Sequence, residues 1–152
     1  MGNLNSRAII ELKIALCFFG VVALAGCATD PYGEIAGNVI DQAHFHDYMI
    51  RDLRKYFKLA PSSNKAVAYE SLRPGPAQHG LGYPHYFVWI RVHDGHQVQE
   101  EGFAEVDAVE TQYFSVNKYF SKKTINQNPN VITEHYGQGL SEIILEKARQ
   151  TP

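Results

Sequence analysis

The sequence has little cysteine and no excess of charge of either sign. Of its 152 residues only two are cysteines, Cys17 and Cys27, and the formal net charge at pH 7 is -2. A basic surface for nucleic acid is therefore not expected. Cys17 lies inside an apolar segment and Cys27 at its end, so neither a disulfide framework nor a cysteine-ligated metal site is expected.

Motifs that mark common catalytic sites are also absent. The chain has no Gly-x-Ser-x-Gly nucleophile elbow, no Gly-x-x-x-x-Gly-Lys phosphate loop and no His-Glu-x-x-His helix. The adjacent acids Glu100 and Glu101 lie in a predicted strand, where neighbouring side chains point to opposite faces, so they do not form an acid–base pair. The sequence predicts no cofactor and favours a non-enzymatic protein. A hydrolase built from separate histidines and carboxylates is an alternative.

No apolar run is long enough to cross a membrane as a helix. The run from Ile14 to Ala25 has twelve residues, whereas a span needs about 20. It follows a segment that carries Arg7 and Lys13, which is the arrangement of a secretory signal peptide. Residues 1–26 are therefore predicted to be a signal peptide.

The end of this run resembles the lipobox of bacterial lipoproteins. The residues are Leu24-Ala25-Gly26-Cys27, with small side chains next to the cysteine. The resemblance implies a diacylglycerol on the Cys27 sulfur and cleavage between Gly26 and Cys27. The acyl chains on Cys27 would then anchor the protein in the membrane lipid. Position 28 is Ala rather than the Asp of inner-membrane lipoproteins, which implies the outer membrane, facing the periplasm. Residues 27–33 would form a short lipidated tether.

Residues 34–152 have ordinary globular composition and length for one domain. The first predicted element is a long helix over 34–59. Its apolar face repeats at spacings of three and four, which is typical of a helix packed on a core. The residues of that face are Val39, Ala43, His46, Ile50, Leu53 and Phe57.

Three or four strands are predicted next. A short strand over 65–71 leads into a Gly/Pro-rich loop, and a hairpin follows over 85–110. Side-chain parity favours a three-residue hairpin loop with Gly95 in the left-handed conformation, which pairs Val92 with His96. Alternation then places one set of apolar residues on a common face, and Phe114 and Val116 of a last strand join it. The set is Val88, Ile90, Val92, Val98, Ala104, Val106 and Ala108.

Two short helices are predicted to close the chain. Ser121 is a predicted N-cap, Gly137 can end the first helix, and a last helix over 141–150 has an apolar stripe of Leu140, Ile143, Ile144 and Ala148. The fold class is therefore α+β: a long N-terminal helix packed on an antiparallel meander, with short C-terminal helices. This element order is loosely similar to that of cystatin-like or nuclear-transport-factor-like domains.

The opposite sheet face is the predicted contact surface. Aromatic side chains beside charges suggest binding of an envelope protein partner in an accessory or assembly role. The equally weighted alternative is that the closing helices cover these aromatics as a second core. The surface comprises Phe87, Trp89, Arg91, Phe103, Tyr113 and Tyr119, and the same alternation places Glu105 and Asp107 on this face.

The Gly/Pro loop over 72–85 and the histidines suggest a second kind of function, binding of a small ligand, a peptidoglycan fragment or a metal. His93 and His96 flank the hairpin turn and are weak metal candidates, because polar residues are expected at a turn anyway. Only folding can bring the loop histidines His79 and His85 together with His135.

Overall fold

The part of the chain that the structure describes forms a four-stranded antiparallel sheet with helices on both faces. The computed structural model describes residues 40–77 and 82–150. The strands lie in the sheet in the order of the sequence, which confirms the predicted α+β class and antiparallel meander. The elements are α1 (Phe45–Tyr56), β1 (Lys65–Ser71), β2 (His85–Asp94), β3 (Gln97–Val109), β4 (Tyr113–Ser121), α2 (Lys122–Gln127), α3 (Asn130–Thr133) and α4 (Gln138–Arg149).

Helix α1 is shorter in the described residues than the helix predicted over 34–59. It begins at Phe45, after a turn at 41–44, and its last turn is followed by Lys58 with a φ of 53°. A left-handed residue at this position ends a helix, because its backbone turns the chain away from the helix axis. The first residues of the prediction, 34–39, lie outside the described residues.

The buried face of α1 repeats at a spacing of four, through Phe45, Met49 and Leu53. Met49 and Leu53 are fully buried, and the phenyl ring of Phe45 packs on the sheet. Leu53 confirms its predicted position, but the prediction for His46 is wrong because this side chain is exposed. Ala43 lies in the turn before the helix, so the predicted face was rotated relative to the real one.

The β2–β3 hairpin closes with a two-residue loop at 95–96, and the predicted three-residue loop is wrong. Gly95 has the predicted positive φ, 58°, which fits the first position of a type II′ turn. A β-bulge follows, because Val92 pairs with Glu100 and leaves Gln99 as an extra residue in β3. The pairing therefore lies four positions further along β3 than predicted.

A shift by an even number of residues leaves every side chain beyond the bulge on its predicted face. The predicted inner face is confirmed in β2 and in the second half of β3, where all these residues are buried. They are Val88, Ile90, Val92, Ala104, Val106 and Ala108. Val98 precedes the bulge and pairs with His93, so it lies on the other face and its predicted position is wrong.

A second bulge lies in β4. Val116 and Lys118 pair with consecutive residues of β3, so Asn117 is the extra residue. The bulge reverses the alternation of the strand after this point. Tyr119 therefore packs on the α1 side, and Phe120 packs on the side of the C-terminal helices. The prediction that Tyr119 lies on the outer face is wrong for this reason.

The C-terminal segment forms three short helices rather than two. Ser121 is the N-cap of α2, as predicted, and its hydroxyl accepts a hydrogen bond of 3.1 Å from the backbone N–H of Thr124. Gly137 precedes α4 instead of ending a helix, so α4 starts three residues earlier than predicted. Of its predicted apolar stripe, Ile144 and Ala148 are buried against the aromatic face of the sheet, whereas Ile143 is exposed and its predicted position is wrong.

The sheet contributes side chains to a separate core on each face. The α1-side core consists of Ile40, Met49, Leu53, Val67, Tyr86, Val88, Ile90, Val92, Ala104, Val106, Ala108 and Phe114. The C-terminal core consists of Leu72, Ala77, Phe87, Trp89, Phe103, Ile125, Ile132, Ile144 and Ala148.

Candidate functional site

The predicted contact surface is not an exposed face, because α2–α4 cover its aromatic centre. Phe87, Trp89 and Phe103 are 9%, 1% and 0% exposed, and all three lie in the C-terminal core. The closing helices carry apolar side chains of their own, and packing these on the aromatic strand face removes both from water. The alternative that the sequence left open, a second covered core, is therefore the one observed.

The other three residues of that predicted surface lie in different environments. Tyr113 is 51% exposed and lies beside α1, where the Arg51 guanidinium is 5.1 Å from its ring centre. Tyr119 lies in the α1 layer, and Arg91 forms an ion pair of 2.8 Å with Glu101. The six residues therefore do not form one surface.

Glu101 is a carboxylate enclosed by donors on the C-terminal side of the sheet. Its Oε1 accepts hydrogen bonds of 2.8 Å from Trp89 Nε1 and from Arg91 Nε, and its Oε2 accepts one of 2.9 Å from Lys122. Burial alone raises the pKa of Glu101, but the hydrogen bonds from Trp89, Lys122 and Arg91 outweigh it and lower the pKa to about 2. This carboxylate is fully compensated, so it has a structural role.

Glu100, the neighbouring acid, points to the other face as predicted. The Tyr119 hydroxyl donates a hydrogen bond of 2.7 Å to Glu100 Oε1 in the α1 layer. Burial and this contact with a carboxylate raise the pKa of Tyr119 well above its usual range. Glu100 and Glu101 are thus separated by the sheet and do not form an acid–base pair.

A histidine and two carboxylates converge at one end of the C-terminal core. His85 Nδ1 is 2.6 Å from Asp107 Oδ1 and 3.8 Å from Glu105 Oε1. The side chains of His85, Asp107 and Glu105 are 22%, 18% and 10% exposed. We call these three residues the His85 cluster. It is partly buried and still open to solvent.

Strand pairing places the His85 cluster. His85 lies directly opposite Asp107, and Phe87 lies opposite Glu105, so all three polar residues belong to the same face of β2 and β3. The β4 bulge then presents Asn117, whose amide donates a hydrogen bond of 2.9 Å to Glu105 Oε1. The cluster therefore stands on two central strands, which fix its backbone.

Two further side chains contact Glu105. The Tyr136 hydroxyl, from the connection between α3 and α4, donates a hydrogen bond of 2.9 Å to Glu105 Oε2. Lys118 Nζ is 3.6 Å from the same oxygen. Burial raises the pKa of Tyr136 well above its usual range, and the Glu105 carboxylate raises it further. Tyr136 therefore acts as a hydrogen-bond donor that orients the carboxylate.

The His85 cluster has the chemistry of a proton-transfer or cation site. Asp107 holds the imidazole of His85 through Nδ1, and Nε2 has no hydrogen-bond partner within residues 40–77 and 82–150. A carboxylate-oriented imidazole with a free nitrogen acts as a base in many hydrolases. The same three side chains also offer one nitrogen and two oxygen ligands within 4.8 Å of one another.

A groove of about 540 Å³ lies on the α1 side of the sheet, between the start of α1 and the segment after β1. The Tyr86 hydroxyl is buried there, and no group in the described part of the chain hydrogen-bonds to it. Burial raises the pKa of Tyr86 to about 12. The groove is lined by Gln42, Phe45, Ser71, Leu72, Arg73, Pro74, Gly75, Pro76 and Tyr86.

The first part of the predicted ligand loop over 72–85 thus lines a groove. Residues 78–81, which include His79, lie outside the described residues. The turn histidines His93 and His96 do not belong to the one group of possible metal ligands found within the described ranges. His135 lies beside the ring of Tyr136, with 6.5 Å between ring centres.

The sequence missed the His85 cluster because the predicted hairpin register was wrong. Pairing Val92 with His96 places Phe103 opposite His85, whereas the observed register places Asp107 there. The alternation had already placed Glu105 and Asp107 on the outer face. The observed register pairs polar residues at both ends of the hairpin, His85 with Asp107 and Asp94 with Gln97. This polar pairing was the signal that would have joined the two acids to His85.

The predicted lipidation site, Cys27, and the cleavage site after Gly26 lie outside the described residues. Within 40–77 and 82–150, no helix has both the length and the apolar character needed to cross a membrane. Comparison with known protein families, curated proteins and solved structures gives no match to this chain.

Proposed function

We propose that this protein is a lipoprotein of the bacterial cell envelope whose domain has a non-enzymatic, protein-binding role. The observation that carries the proposal is the sequence Leu24-Ala25-Gly26-Cys27 at the end of a twelve-residue apolar run. Cys27 would carry diacylglycerol and a further acyl chain such as palmitate. Ala28 supports sorting to the outer membrane, with the domain in the periplasm.

Multiple acyl chains give stable anchoring, since each buried methylene contributes about 0.8 kcal/mol and a single chain binds only reversibly. The domain would also stay close to the membrane. The segment from Cys27 to Ile40 spans at most about 45 Å when fully extended. Binding partners are therefore expected among proteins of the same membrane or the adjoining periplasm.

Metabolic labelling tests the anchor directly. Cells that produce the protein are grown with radioactive palmitate, and the label is followed in the wild type, Cys27→Ser and Cys17→Ser. We expect label in the wild type and in Cys17→Ser but none in Cys27→Ser, because only Cys27 follows the small residues of the lipobox. Label that survives in Cys27→Ser would contradict the proposal.

Membrane fractionation tests the sorting. We expect the wild type and Ala28→Ser in the outer-membrane fraction and Ala28→Asp in the inner-membrane fraction. An unchanged distribution of Ala28→Asp would contradict sorting by this position.

The groove beside Tyr86 is the binding site that we assign to a protein segment in extended conformation. Its lining combines apolar and proline side chains with the polar Gln42, Ser71 and Arg73, around the buried Tyr86 hydroxyl, which lacks a partner in the described chain. Strand β1 is an edge strand and ends at Ser71 in the groove wall. An added strand from a partner would use the outer edge of β1, which pairs with no other strand in the described ranges, for backbone hydrogen bonds and place a polar group on Tyr86.

Site-specific photocross-linking in living cells tests this surface. A photoreactive residue at Gln42 or Ser71 is expected to give one discrete adduct, whereas the same residue at Glu142 on α4 gives none. The adduct is expected to disappear in Cys27→Ser if the partner is at the membrane, and to weaken in Tyr86→Phe. Equal adducts from Gln42 and Glu142 would contradict the assignment.

The His85 cluster favours hydrolysis as a second candidate function. A water molecule held by His85 Nε2 would be the nucleophile, with Asp107 orienting the imidazole. Assay of the wild type and His85→Gln against ester and muropeptide substrates tests it. Turnover that does not fall in His85→Gln would exclude the cluster as a catalytic site.

A further inference from the structure

We propose that His85, Glu105 and Asp107 bind one divalent metal ion of the zinc class. This inference is independent of the lipid anchor and of the groove. The ligand atoms are one imidazole nitrogen and two carboxylate oxygens, and all lie within 4.8 Å of one another. One nitrogen and two oxygen ligands suit Zn²⁺ or Mn²⁺ better than Ca²⁺ or Mg²⁺, which favour oxygen ligands only.

The separations fit a shared ion after small movements of the side chains. Ligand atoms about 2.1 Å from a tetrahedral ion lie about 3.4 Å from each other. The observed distances from His85 Nδ1, 2.6 Å to Asp107 and 3.8 Å to Glu105, lie on either side of this value. The ion would replace the proton that now joins His85 to Asp107. Three protein ligands leave one coordination position for water.

The charge of the cluster also favours a cation. Glu101, elsewhere on the same face, has two cationic partners, Arg91 and Lys122, within 2.9 Å. Glu105 and Asp107 together have a single lysine within the described residues, Lys118, and it lies 3.6 Å from Glu105. The second carboxylate therefore has no lysine or arginine partner within the described residues, and a bound divalent ion would supply its counter-charge.

The groups around Glu105 hold this ligand in place. Asn117 and Tyr136 donate one hydrogen bond to each carboxylate oxygen, each of 2.9 Å. Hydrogen bonds of this kind orient metal-binding carboxylates and raise metal affinity. The arrangement supports both oxygens of Glu105 and leaves His85 and Asp107 partly open to solvent, which gives the ion a path to the cluster.

Calorimetric titration with Zn²⁺ alone tests the proposal, using the full chain purified in detergent without a histidine tag. We expect one ion per chain for the wild type. His85→Ala and Asp107→Asn are expected to weaken binding by at least about 100-fold, since each removes a ligand. His93→Ala and His96→Ala, on the same hairpin, are matched controls and are expected to retain wild-type affinity.

Lys118→Met separates a metal site from a purely structural ion-pair cluster. Removal of a positive charge near the ion is expected to raise Zn²⁺ affinity by about ten-fold. If the cluster serves only as an ion pair, Lys118→Met does not raise the Zn²⁺ affinity above that of the wild type. Absent zinc binding, or an affinity equal to that of the wild type, would overturn the proposal.

A spectroscopic measurement keeps the test valid if a ligand variant fails to fold. X-ray absorption at the zinc edge of the wild type is expected to show only nitrogen and oxygen ligands, with a single imidazole. A sulfur ligand, two or more imidazoles, or no saturable binding by the wild type would overturn the proposal. Loss of binding in His93→Ala or His96→Ala would do the same.

Discussion

The indole Nε1 of Trp89 lies 2.8 Å from the carboxylate Oε1 of Glu101 and donates a hydrogen bond to it. Trp89 is fully buried in the C-terminal core. The charged Glu101 carboxylate thus lies at the boundary of an aromatic core, and the donors that surround it compensate the cost of burying its charge.

Replacing Glu101 with Gln is expected to lower the free energy of unfolding by about 2–4 kcal/mol. The amide cannot accept from Trp89, Arg91 and Lys122 at once, and the lysine loses its buried counter-charge. Urea denaturation measures the change. Glu142→Gln is the control, because Glu142 is an exposed residue of α4. This variant is expected to change the free energy of unfolding by less than about 0.5 kcal/mol.

The stability of the wild type is expected to fall in acid because of Glu101. Its pKa is about 2 in the folded protein, against an ordinary value of 4.5, so the unfolded chain takes up the proton first. The stabilisation is present above about pH 4.5 and is lost as the pH falls toward about 2. Urea denaturation between about pH 6 and about pH 3 is expected to give a smaller acid loss for Glu101→Gln. Parallel curves for both proteins would contradict the assigned shift.

Gly102→Ala is expected to destabilise the protein by about 2–4 kcal/mol. A Cβ at Gly102 would lie 2.8 Å from the Tyr119 hydroxyl and would overlap the backbone of β4. Thermal denaturation measures the effect. Gly139→Ala in α4 is the control, because its Cβ would meet no atom within 4 Å, and it is expected to stabilise the helix by up to about 1 kcal/mol.

Tyr86→Phe is expected to leave stability unchanged or to raise it by up to about 1 kcal/mol. The variant removes a buried hydroxyl that has no partner in residues 40–77 and 82–150, and it keeps the ring. Tyr119→Phe is the matched comparison: its hydroxyl donates to Glu100, so we expect a loss of about 1–2 kcal/mol. A clear loss of stability in Tyr86→Phe would mean that the hydroxyl is already satisfied within the chain.

Local patterns predicted the parts of the fold that depend on local physics. The inner face of β2 and of the second half of β3 followed from alternation, and Ser121 was correctly assigned as an N-cap because its hydroxyl serves an N–H three residues away. The prediction of α1 failed at its start, since Ala43 continues the apolar repeat but lies in a turn. A repeat in the sequence does not specify where the first helical hydrogen bond forms.

The candidate site depended on events that alternation does not encode. The bulge at Gln99 moved the hairpin register and brought Asp107 opposite His85. Trp89 and Phe103 are buried because the C-terminal helices pack on them, and alternation within a strand does not encode this tertiary packing. Sequence reasoning therefore found the face on which Glu105 and Asp107 lie, but it left open whether helices cover this face and did not join His85 to the two acids.

Asn117 has two roles in β4: as the extra residue of the bulge it sets the face of every residue that follows, and its amide donates a hydrogen bond to Glu105. Asn117→Ala would remove the amide donor to Glu105 but keep the register, so Tyr119 and Phe120 would remain in their own layers. Deleting the residue would remove the bulge, so Val116 and Lys118 would become neighbours with their present partners and both rings would also keep their layers. If Asn117 instead took a regular strand position, every residue after it would change face and the two rings would exchange layers.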